Sequence, residues 1–222
     1  MKFCRTLWVP AALAALAASA PSFANSPLSI DFEASPGYGV PVLNTYASIG
    51  ASFTDGALAL TNDAIGPYFS NAPTPGTADS LAGTVMFVDP ASAGAVLNIA
   101  GGNGASPLTG FVGTVSLDYA SKVDAFSVVQ IFAGLNGTGQ RLGKIALGES
   151  QIDSNCSSSP LCNWQNITLT FKGTAQSMVF SSNGGNIAFD NIRITAVPEP
   201  ETYAMLLAGL AAVGFMARRR RD

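Results

Sequence analysis

Few side chains in this sequence could do chemistry, and the first to consider are its thiols. Cys156 and Cys162 stand with five residues between them in a Ser/Pro-rich stretch, and the remaining cysteine, Cys4, lies near the N-terminus. In an oxidising compartment such a pair forms one disulfide around a small loop, contributing about 2 kcal/mol. The rival reading, a two-cysteine metal site, lacks further ligands, because the chain contains no histidine. The same absence rules out Ser–His–Asp and Cys–His nucleophilic catalysis and every site built on imidazole. Two carboxylates suffice for glycoside hydrolysis, and Asp31 and Glu33 share one face of a short strand, yet solvated pairs of that kind are common. No catalytic residue is assigned, and the chain is not expected to be an enzyme.

Aromatic side chains are the second chemical resource, since sugar rings stack on exposed ones. Tyr38, Tyr46, Tyr68, Phe69 and Trp164 are the candidates, with Asn and Asp nearby for hydroxyl groups. Trp164 is singled out as a ligand-binding residue; for all five the competing role is core packing. Between Asn25 and Val197 there are five basic against eleven acidic side chains, a net charge of −6. An acidic body without a basic stripe does not suit nucleic acid, which is bound largely through neutralised phosphates.

Both ends carry signals. Lys2 and Arg5 precede an apolar run from Leu7 to Ala20, followed by Ser22-Phe23-Ala24 before Asn25. Small residues three and one before the break fit signal peptidase, so residues 1–24 are expected to be a signal peptide cut between Ala24 and Asn25 during passage through the secretion machinery. At the other end, Pro198-Glu199-Pro200 precedes an uncharged segment, Thr202 to Ala217, and then Arg218, Arg219, Arg220 and Arg221. Sixteen helical residues span about 24 Å, slightly less than a hydrocarbon core, and the arginines hold the C-terminus on the cytoplasmic side. A transmembrane helix over 202–217 would thus leave the body facing outward.

This conjunction resembles the PEP-CTERM sorting signal of Gram-negative bacteria, over about a tenth of the chain. The resemblance implies that exosortase, a membrane-embedded cysteine transpeptidase, recognises Pro198-Glu199-Pro200 and removes the helix. The protein would then pass from a transient inner-membrane intermediate to the cell surface or an exopolysaccharide (biofilm) matrix. The alternative is a permanent anchor behind a proline-stiffened linker.

The elements that must position these residues are strands. Between residues 25 and 196, short runs alternate with period two and are punctuated by Gly, Pro, Asn, Asp and Ser; no helical period is sustained. Strands are expected at 28–33, 40–47, 57–61, 84–88, 95–100, 112–120, 123–133, 141–147, 164–171, 176–181 and 187–195. Val115, Leu117 and Tyr119 alternate with Thr114, Ser116 and Asp118, and Ile167, Leu169 and Phe171 with Asn166, Thr168 and Thr170, so one face packs and the other meets water. Leu135-Asn136-Gly137-Thr138-Gly139 reads as a hairpin turn. The fold class is all-β: a single antiparallel sandwich of jelly-roll or lectin-like type over residues 25–196, followed by a sorting tail over 197–222.

The first and last strands, Ile30–Glu33 and Ile187–Ile194, are similar to those of carbohydrate-binding and lectin-like sandwich domains. That similarity implies pairing of the terminal strands and a structural calcium held by Glu33 and Asp190, with Asp31, through hard carboxylate oxygens. Against it stands a plainer reading, in which Asp190-Asn191 forms a bulge and accepts backbone hydrogen bonds. The expected function is that of an exported surface or matrix protein sorted by exosortase, the alternative being a carbohydrate-binding module.

Overall fold

The computed structural model describes residues 26–35, 37–61, 83–101, 108–150, 161, 163–198, 207 and 209–211. Among the described residues twelve strands form two antiparallel sheets. The larger contains β1 (Ser26–Ile30), β2 (Val40–Pro41), β4 (Ala57–Thr61), β5 (Thr84–Val88), β7 (Leu108–Ser121), β10 (Gln165–Ala175) and β12 (Ile187–Pro198). It runs in the order β10, β7, β12, β5, β4, β2, with β1 also on β12. The smaller sheet is ordered β3 (Ala51–Phe53), β6 (Ala95–Ile99), β11 (Ser177–Phe180), β8 (Ala125–Phe132), β9 (Arg141–Leu147).

Three strand bounds, 57–61, 84–88 and 141–147, coincide with the expected ones. The expected strand at 40–47 shrinks to Val40–Pro41, because Pro41 has no amide to donate and Leu43 turns the chain at a φ of 44°. A 3-10 turn over Ala47–Ile49 then leads into β3, which the sequence reading missed: three residues are too few to show a period. The hairpin between β8 and β9 forms as anticipated, with Asn136 and Gly137 at φ values of 55° and 70°.

The alternation read from the sequence holds. Phe111, Val115, Leu117 and Tyr119 of β7 point into a buried core with Phe32, Leu97, Ile99, Ile131, Met178, Phe180 and Phe189. Phe180 and Phe189, from opposite sheets, meet edge to face at 5.0 Å, the geometry favoured by the ring quadrupole. Near the far end of β7 the outer face is covered as well. Leu161 and Trp164 pack there over Val85, Ala120 and Ala188 as a second small cluster.

β12 organises the larger sheet. Along one side it pairs with β7. Its other side is divided between β5, through Ala188 and Phe189, and β1, from Ile192 opposite Ile30 to Ala196 opposite Ser26. The terminal strands therefore pair, as the likeness to lectin-type domains implied.

Candidate functional site

The junction where β12 changes neighbours is where the candidate calcium ligands fall. Asn191 sits at φ 49°, the ladder shifts register between Asp190 and Arg193, and the Asn191 amide donates to Asp190 Oδ1 at 2.7 Å. This is the bulge of the plainer reading. Glu33, just past β1, accepts from the Thr84 amide at 3.2 Å through Oε1, and Asp31 Oδ1 accepts from the Glu33 amide at 3.3 Å. These carboxylates thus serve backbone amides where one strand ends and another begins. Among the described residues no three Asp, Glu, His or Cys side chains gather to hold a cation. Calcium takes six to eight oxygens, of which these two carboxylates would supply only a part.

Beneath this junction lies Tyr46, buried against Phe32 with ring centroids 6.1 Å apart. Burial pushes its hydroxyl up to about 12, and the charges of Asp31 and Glu33 add to the rise, while Ser35 and the Ala34 backbone oppose it. Ser35 nonetheless falls outside hydrogen-bond geometry, and both hydroxyl oxygens are buried without a partner among the described residues. Burial also raises the Tyr119 hydroxyl, which donates to Gln165 Oε1 at 2.9 Å.

The outer face of β10, β7 and β12 carries the most organised polar surface. Register places Thr168 beside Ser116, Ser116 beside Arg193 and Arg193 beside Ser29, a row crossing four strands. In the next row Asn166 adjoins Asp118, and Asp118 adjoins Asp190. Asn166 Nδ2 donates to Asp118 Oδ1 at 2.6 Å and to Ser116 Oγ at 3.0 Å, and its Oδ1 accepts from the Ser116 and Thr168 hydroxyls at 3.2 and 3.4 Å. The Arg193 guanidinium reaches Asp118 Oδ2 at 4.0 Å. Asp118 and Asp190 are buried, so it is the amide, hydroxyl and guanidinium groups on this rigid sheet that offer donors and acceptors to a polyhydroxylated ligand. The sequence reading saw these positions only as a wet face, because alternation shows which side is solvated and not which strands lie side by side.

Aromatic candidates fare differently. Trp164 is only 9% exposed and lids the second cluster, so the open ring that a stacking platform needs is not presented. Its burial follows from a position just before β10, where the chain folds over the upper part of β7. Tyr46 is a core residue, Tyr38 is half exposed, and Tyr68 and Phe69 lie outside the described residues. Among the described residues the most exposed aromatic is one that went unnoticed, Phe126, at 87%. It precedes Ser127, at φ 57°, in a bulge between Ala125 and Val129. An irregular step of that kind leaves no sequence period.

At the tail, Pro198 still belongs to β12 and pairs with Leu108, and Val197 O accepts from the Thr109 hydroxyl at 3.3 Å. Gly110, opposite Val197, is at φ 144°, and a Cβ there would run into the Ala175 carbonyl oxygen. The sorting signal thus begins inside the sheet. Leu207 and Gly209 to Ala211 are helical and exposed. Among the described residues no helix is long and apolar enough to cross a membrane. The signal peptide with its Ala24–Asn25 cleavage point, Cys156 and Cys162, Glu199, Pro200 and Arg218 to Arg221 lie outside the described residues.

No curated protein matches the chain. Among solved structures, the K2 cleaved adhesin domain of Lys-gingipain aligns over 77% of this chain and 99% of its own, at 14% identity and a TM-score of 0.51. The K1 adhesin domain of Lys-gingipain from Porphyromonas gingivalis covers 78% of this chain and 99% of its own, at 14% identity and a TM-score of 0.41. A carbohydrate-binding module of Cellvibrio mixtus lichenase 5A, in complex with cellotriose, covers 77% and 97%, at 17% identity and a TM-score of 0.40. The first is a likeness of fold alone, and the other two are looser. Residues 196–221 match the PEP-CTERM protein-sorting motif; that match begins on β12, so the chain carries a PEP-CTERM sorting motif at the end of an antiparallel β-sandwich body.

Proposed function

We propose that this chain is an exosortase substrate, exported with its body outward, held briefly in the inner membrane by its tail, and released to the cell surface or an exopolysaccharide matrix. The observation that carries this reading is the match over residues 196–221, where Pro-Glu-Pro, an uncharged segment and four arginines follow one another. The body acts by association and not by catalysis, in keeping with a sequence that contains no histidine. Mass spectrometry of surface-extracted protein tests the route. Mature chains should end near Pro200 in cells with exosortase and retain residues 202–222 in cells without it. Retention in both would overturn it.

A second reading, carbohydrate binding, is favoured by the hydrogen-bonded face of Asn166, Ser116, Asp118 and Arg193. Its groups are preorganised on paired strands, which spares a ligand the cost of ordering them. A glycan array with the intact body, beside Asn166→Ala and Trp164→Ala, separates the sites: binding lost only in Asn166→Ala places it on this face. Silence of the unmodified body on every glycan would leave display in the matrix as the role.

A further inference from the structure

The register of the strands gives the sandwich two distinct ends. At the tail end lie Pro198, its partner Leu108, Leu108's bridge to Gly101, and Ser26 opposite Ala196. The same end carries the Ala47–Ile49 turn, whose following Gly50 accepts from the Ala100 amide, and the β8–β9 hairpin, which is pinned to β6 by the Asn136–Asn98 bonds. The far end carries the turns after β3, β5, β7, β9 and β11.

Charge is divided between these ends. Among the described residues the far end bears Asp55, Asp89, Asp124 and Glu149 against Lys122, whereas the tail-end third bears Arg141 at the start of β9 and Lys172 in the β10 bulge, with no acidic side chain. Two large apolar side chains are also exposed there, Leu135 at 37% and Ile49 at 38%. Three residues, Glu199, Pro200 and Glu201, separate Pro198 from the uncharged segment that begins at Thr202, so the connection itself adds two carboxylates that offset the charge of Arg141 and Lys172. Fully extended, that connection reaches at most about 14 Å. A body joined so closely to a membrane segment would be confined with this end toward the lipid.

We propose that the tail end of the sandwich is a bilayer-contact surface, on which Arg141 and Lys172 meet anionic phospholipid headgroups and Leu135 and Ile49 enter the interface. The inference rests on the membrane-held intermediate of the preceding section. It assigns to that stage a fixed posture, with the acidic end outward and Pro198 held at the membrane surface. Basic side chains within a Debye length of anionic lipid are attracted to it, and the tether supplies the high local concentration that two charges alone would not.

The test uses the chain from Asn25 to Asp222, with Cys156→Ser and Cys162→Ser, reconstituted in vesicles of phosphatidylcholine with or without phosphatidylglycerol. An environment-sensitive dye is placed at Leu135→Cys or, at the far end, at Ala91→Cys, and a quencher is carried by the lipid. In anionic vesicles quenching at 135 should be at least threefold that at 91. The combined Arg141→Glu and Lys172→Glu variant, matched to its parent in thermal midpoint, should bring it down to the level at 91. Equal quenching at the two positions while the tail is protected from protease would overturn the contact surface and leave the anchored intermediate standing. A chain that stays in the supernatant with its tail digested would overturn both.

Discussion

Replacing Tyr46 by Phe should remove one specific part of the alkaline sensitivity of this fold. The Tyr46 side chain is 7% exposed and its hydroxyl is pushed from an ordinary 10 to about 12. In the unfolded chain the phenol ionises near 10, so below that pH both states keep the proton and stability does not depend on it. As pH rises from 10 to 12 the unfolded state loses the proton first, and the stabilising difference is lost across that window. Two pKa units correspond to roughly 2–3 kcal/mol. Near neutrality Tyr46→Phe should match the parent or exceed it by up to about 1 kcal/mol, because a buried hydroxyl without a partner is removed. Urea titrations followed by circular dichroism at pH 8, 10, 11 and 12 measure both terms. Above pH 10 the parent should fall progressively further below the variant. Parallel loss of stability in the two proteins would refute the assignment, since every other side chain is shared by both.

The remaining expectations concern packing and the polar face. Trp164→Ala should cost about 3 kcal/mol of unfolding free energy, as for other buried aromatics, and should expose the outer face of β7 to amide exchange near Ala120. Gly110→Ala should lower the melting temperature by several degrees, because positive φ and the Ala175 carbonyl both oppose a Cβ; exchange at Val197 and Pro198's partner strand should quicken. Asn166→Ala should cost about 1–3 kcal/mol, because its bond to the buried Asp118 carboxylate is lost, and abolish any retention on polysaccharide gels that the body shows. Chelation should leave the melting temperature unchanged, because Glu33 and Asp190 are committed to backbone amides; a drop of several degrees would restore the calcium reading.

Much of the architecture was legible from alternation. β7 and β10 read cleanly over Val115–Tyr119 and Ile167–Phe171, where every second residue is apolar and packs inward, and Asn136-Gly137 announced its hairpin through the φ it tolerates. What alternation does not carry is the order of strands. Ser116, Arg193 and Ser29 come from three distant segments, so their shared row could not be foreseen. Trp164 misled for a related reason: an indole in a polar stretch looks exposed until the surface it covers is known. Phe126 escaped notice because a bulge breaks the period by which such a residue would be counted.

The central place of β12 also bears on how the protein is made. The strand that joins β7, β5 and β1 is the last one to leave a secretion channel, and its oldest partner, β1, is the first. Neither sheet edge nor core can close correctly around a gap at that position, so the chain must remain open until translocation is nearly complete. On the proposed export route, the arrival of the basic C-terminal segment at the membrane and the final zipping of the sandwich would fall at the same moment. A periplasmic holdase would have the longest opportunity on this chain before that point, and a truncation short of Ile187 should yield an aggregating polypeptide rather than a smaller domain.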